Sequence, residues 1–184
     1  PFVHPWESLN TEPHGKAWVH PERMPVGKRT RRLSVDQLRR SIPSLFAGIQ
    51  WTDDQGRDMF NRLSGTLGEA DFVERTEHNL MVSPLFSKFM DDMAGQVCAK
   101  AVQHDAQQAD AEDRVLVRNV GDVEANLRYL RRKLHSLHVP GGVDDPSIAA
   151  YRGLYHNIAA ESGAESAWIG VCVAMLTAPE FMAY

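Results

Sequence analysis

Three short stretches place a hydrogen-bonding cap directly ahead of a helical start: Ser34 with Gln37, Ser83 with Pro84, and Asp145 with Pro146. A Ser or Asp side chain accepts from the orphaned N–H groups of a first turn, and proline at the first helical position lacks an N–H that would have no partner anyway. Behind each cap, apolar residues recur three and four positions apart. The first run is Val35, Leu38, Ile42 and Leu45, and the second is Leu85, Phe86, Phe89, Met93, Val97 and Ala101. The third is Ile148, Tyr151, Leu154, Tyr155 and Ile158. Asp122 opens a fourth run through Val123, Leu127, Leu130, Leu134 and Leu137, which HVPGG stops. A fifth covers Glu165 to Thr177 with Trp168, Ile169, Val171, Cys172, Met175 and Leu176, and Pro179 halts it. RVLVRNV, residues 114–120, is the one strand-like stretch, and a single short strand cannot form a sheet. The expectation is an all-α domain over residues 34–184, an orthogonal or irregular bundle of five to seven helices.

Finer expectations follow from the same signals. Pro43 lacks the N–H that its position needs, so the first helix should kink or end near Ile42. A shorter amphipathic piece is expected from Asp54 to Leu67, with Met59, Phe60, Leu63 and Leu67 on one side, and EADFVERTEHN should add a further helical turn or two. HDAQQADAEDR reads as an exposed end or loop, and Arg128, Arg131, Arg132 and Lys133 as the wet side of their helix. PEFMAY should fold back on the domain through Phe181 and Tyr184.

Residues 1–33 differ from the rest. They hold five of the ten prolines and two of the four tryptophans, a spacing that forbids a regular helix. Phe2, Val3, Trp6, Trp18, Val19 and Met24 are too apolar for a solvated tail. An extended arm packed on its own domain or on a partner fits both facts, with Phe2, Trp6 and Trp18 as candidate partner-binding residues. The arm ends in KRTRR, read as a solvated basic linker.

Composition excludes several classes. The net charge is −4, which does not supply the field of Lys and Arg that duplex nucleic acid requires. No stretch reaches the roughly 20 apolar residues of a membrane span. The opening residues resemble no signal peptide, and the start on Pro fits a processed or trimmed chain. Cys98 and Cys172 stand apart in apolar helical surroundings. The plainer reading is two buried free thiols; the alternative is a disulfide joining two helices, which implies an oxidising compartment.

Chemistry-bearing motifs are sparse. His135 and His138 lie three apart, a spacing that lets two imidazoles share a helix face, with His156, Asp144 or Asp145 nearest for a third ligand. They are the metal candidates, and a metal-binding protein or enzyme built on that region is the alternative functional reading. Polar residues answering the free carbonyls of a last helical turn explain the same pair without a metal. C-x-x-C-H, the phosphate loop and H-E-x-x-H do not occur, so no cofactor and no catalytic residue is assigned.

Two segments carry a resemblance. RRLSVDQLRRSIPSLFAG resembles the start, and VCVAMLTAPEFMAY the ending, of helical modules of unknown function in large secreted bacterial proteins of the planctomycete type, where such modules accompany cytochrome c domains. MVSPLFSKFM resembles a helix start in the middle of those modules. The resemblance implies a helical fold and a periplasmic or extracellular setting, with export by a signal outside these residues. The expected function is a non-catalytic helical subunit or interaction module of a periplasmic or envelope-associated assembly, one containing cytochromes among the candidates, with a protein partner contacted by the arm.

Overall fold

The structure, a computed structural model, describes residues 32–67 and 83–182. The chain divides into two units, Pro1–Thr30 and Arg31–Tyr184, and the described residues all belong to the second. The expectations for the arm, including Phe2, Trp6 and Trp18, lie outside the described residues, as do those for EADFVERTEHN and Tyr184.

Among the described residues the unit is all-helical, with six α-helices and no strand. These are α1 (Val35–Leu45), α2 (Met59–Leu63), α3 (Pro84–Ala106), α4 (Val123–His135), α5 (Pro146–Leu176) and α6 (Pro179–Met182). The expected caps are in place. The Ser34 hydroxyl accepts from Gln37 N at 3.1 Å while Gln37 Oε1 accepts from Ser34 N at 2.8 Å, a reciprocal capping box. Ser83 caps α3 through Phe86 N, Asp122 caps α4 through Ala125 N, and Asp145 caps α5 through Ser147 N and Ile148 N.

Several boundaries move, each for a local reason. α1 continues past Pro43 to Leu45, because the missing proline N–H removes one bond while Phe46 N still donates to Ile42 O and Gly48 N to Pro43 O. The piece expected from Asp54 starts only at Met59. Asp53 gathers Gln55 N, Arg57 N and Arg57 Nε into a tight loop, leaving Asp58 as the cap. α4 ends at His135 because Ser136 is left-handed at φ 56°. Leu137 is consequently off the helix and exposed, and Leu85, counted in the α3 stripe, is exposed as well.

The core is built around α3. Phe86, Phe89, Met90, Met93, Ala94, Val97, Cys98 and Ala101 are buried along its length. Its N-terminal half meets Trp51 and Phe60, whose rings lie edge-on to each other and to Phe89 with centroids 5.0 to 5.9 Å apart. Its C-terminal half meets α5 and is bonded to it: Cys98 and Cys172 form a disulfide with Cα atoms 5.8 Å apart. The two cysteines are therefore not the free thiols of the plainer reading. Their buried positions face each other across the α3–α5 contact, a relation that 74 residues of separation hid.

α5 is not one rod. Gly163 has φ 84° and ψ 169°, outside the helical region, and divides it into limbs 146–162 and 164–176. Tyr155 and Trp168 have ring centroids 4.6 Å apart, and a Cβ at Gly170 would collide with Ile158 Cδ1. Residues twelve or thirteen apart on a straight helix lie about 18 to 20 Å apart along the axis. The limbs therefore fold back on each other as a helical hairpin, with the sequence's two separate helical runs as its arms.

Arg32 and Leu33, assigned by sequence to the arm, belong to the helical unit. Leu33 N donates to Met182 O at 2.7 Å, Arg32 Nη2 donates to Leu67 O at 2.7 Å, and the Arg32 guanidinium lies 4.3 Å from the centre of the Phe86 ring. The last Arg of KRTRR is thus buried rather than solvated.

Candidate functional site

A groove of about 420 Å³ opens where the end of α3, the 114–121 segment, the start of α4 and the α5 turn converge. Its walls are largely apolar, with Val102, Val117, Val123, Tyr155 and Trp168 contributing, and Val120 stands 64% exposed beside them. Volume and lining fall in the range of binding clefts.

The groove has its shape because one buried carboxylate organises its wall. Asp105 is 4% exposed and accepts from Val115 N, Leu116 N and Val117 N at 2.7 to 2.8 Å. Asn126, fully buried on α4, accepts from Arg118 N and Asn119 N through Oδ1 and donates to Leu116 O. RVLVRNV is β-like in composition, yet these two side chains do the work of a neighbouring strand and hold it as a loop. Buried backbone groups must find partners, and here side chains supply them. Arg114, which lines the groove, donates to Gln108 O, and Lys133, outside it, donates to Val115 O and further ties the segment to α4.

The expected wet side of α4 is only partly wet. Arg132 is exposed, but Arg131 is 6% exposed and packs between α4 and the hairpin, 3.8 Å from Glu180 of α6 and 5.9 Å from the Tyr151 ring centre. Its Nη1 donates to His135 Nδ1 at 2.6 Å. His135 Nε2 is 2.8 Å from the Met175 carbonyl and so carries the ring proton. Both imidazole nitrogens are engaged. Burial, chiefly, with Arg131 beside it, holds His135 below its ordinary pKa against the opposing pull of the Met175 carbonyl and Glu180.

The structure does not bring the sequence's metal candidates together. His135 points inward at the end of α4, whereas His138 is exposed beyond the left-handed Ser136. Asp145 is committed to capping α5, and the Ser147 hydroxyl and the backbone N–H groups it accepts from hold its carboxyl below the usual range. Among the described residues no three His, Cys, Asp or Glu side chains form a metal-sized cluster. Sequence reasoning missed Asp105, Asn126 and the groove they frame. Asp105 falls in HDAQQADAEDR, which the sequence marks as an exposed end or loop, yet α3 runs on to Ala106 and Asp105 is buried, because its partners lie ten to twelve residues away in an irregular segment that no helical period marks.

No family model, curated protein or solved structure matches the chain.

Proposed function

We propose that the chain is a non-catalytic helical subunit or interaction module of a periplasmic or envelope-associated assembly. The observation that carries this reading is the groove beside the exposed Val120. Its walls are apolar, and the buried polar groups around it are committed to the fold's own backbone, which suits it to receive an apolar segment of a protein partner. The Cys98–Cys172 disulfide supports an oxidising compartment for the chain, where such bonds persist. The resemblance at RRLSVDQL and LTAPEF adds cytochrome-containing assemblies as a setting, and the aromatic residues Phe2, Trp6 and Trp18 add the arm as a second contact with the partner.

Native mass measurement of the particle purified from its source tests the proposal. The complete chain should co-purify with partner proteins in the envelope or periplasmic fraction. Val120→Lys, which changes an exposed side chain, should reduce partner recovery while leaving the unfolding midpoint unchanged. Removal of residues 1–30, which spares the buried Arg32, should do the same. Undiminished recovery with both variants, or a particle of one chain only, would overturn the reading.

A further inference from the structure

The reversal of α5 rests on one residue. Helical hairpins ordinarily turn through loops of about two to five residues, whereas here Ala159, Ala160, Glu161 and Ser162 run helically up to Gly163, and Ala164, Glu165 and Ser166 run helically away from it. No proline or second glycine lies in that stretch, and residues 160–165 are exposed. Changing φ and ψ at this single position to helical values would make α5 one continuous helix of about 46 Å. The limb beyond it cannot remain bare in water, because Ala167, Trp168, Val171, Cys172, Met175 and Leu176 are its buried face.

We propose that Gly163 is a swap hinge through which two copies of this chain exchange residues 164–182. In the exchanged pair each second limb lies against α3 of the other copy, remaking the Tyr155–Trp168 and Ile158–Gly170 contacts between chains with two-fold closure. The disulfide then records the exchange. In the closed monomer Cys172 bonds Cys98 of its own chain; in the exchanged dimer it bonds Cys98 of the second copy. The conversion is redox-neutral. A small thiolate attacks one disulfide sulfur and expels a cysteine thiolate, exchange between chains follows, and the small thiol is released at the end. Two intramolecular disulfides become two intermolecular ones with no net oxidation.

Gly163→Ala is the informative substitution. A Cβ at this position meets nothing within 4 Å, so space does not oppose it. The backbone does, because φ 84° with ψ 169° is open essentially to glycine alone, whereas alanine favours the straight helix. The full chain at high concentration is incubated with a trace of glutathione, quenched by alkylation, and read by non-reducing gel and light scattering. Gly163→Ala should raise the disulfide-linked dimer at least about tenfold over the unaltered chain. Inserting Gly-Ser-Gly after Gly163 lengthens the turn and should suppress the dimer. A variant that stays monomeric with its disulfide internal would overturn the proposal. Where Gly163→Ala does not fold by circular dichroism, the other two chains decide: dimer from the unaltered chain and none from the lengthened one supports the hinge, and equal yields overturn it.

Discussion

Replacing Cys98 and Cys172 together by Ala tests the α3–α5 junction most directly. The bond closes a loop with a sequence separation of 74 residues. In the chain-entropy account a cross-link of that span removes about 15 cal/mol/K from the unfolded ensemble, or about 4.5 kcal/mol at 25 °C. Native domains hold only about 5 to 15 kcal/mol in all, so this is a large share. Ala is the proper replacement because both positions are fully buried, where a serine hydroxyl would lack a partner. Equilibrium urea unfolding of the double variant should show a loss of about 3 to 5 kcal/mol. The m-value should rise, since the untethered chain exposes more surface when unfolded. The unaltered chain unfolded under thiol reductant should converge on the same curve. A loss under about 1 kcal/mol with an unchanged m-value would refute the reasoning, as would two labelled thiols in the denatured, unreduced chain.

Two further outcomes follow from the buried polar groups. Asp105→Ala strips three backbone N–H groups, two of them buried and that of Val117 half-buried, of their acceptor, so urea unfolding should show a loss of about 3 to 5 kcal/mol, with Asp105→Asn costing about half as much; a change under about 1 kcal/mol would contradict the wall-organising role. His135 is held neutral by burial below its ordinary pKa, so the unfolded chain takes up its proton first as pH falls through about 6.5. The stabilisation is therefore present above that value and lost below it, by up to about 1.4 kcal/mol per pH unit until the folded pKa is reached. His135→Gln should flatten that slope in stability measured from pH 7.5 to 5, and an equal slope in both chains would refute the assignment.

Helix starts were legible because their signals are local. Ser34 and Gln37, Ser83 and Pro84, Asp122, and Asp145 and Pro146 act within one turn, and their caps stand where the residues placed them. The apolar stripes of α3 and of residues 164–176 were legible for the same reason, since core-facing positions recur at the helical period. Even the break in α5 appeared as two separate runs. Its reversal did not appear, because a glycine between helix formers can equally continue a helix, and only the Tyr155–Trp168 and Ile158–Gly170 contacts show that the limbs fold together.

Groups whose partners are remote in sequence were decided by the tertiary structure alone. Arg32, Asp105, Arg131 and His135 look like surface residues by type, and burial is tolerable for them because distant atoms answer each one: Leu67 O, the Val115–Val117 amides, Glu180 and Met175 O. Cys98 and Cys172 belong to the same class. Residue type and spacing specify which helices form and which faces are apolar; which faces meet depends on packing across tens of residues, and the disulfide and the groove come into being only there.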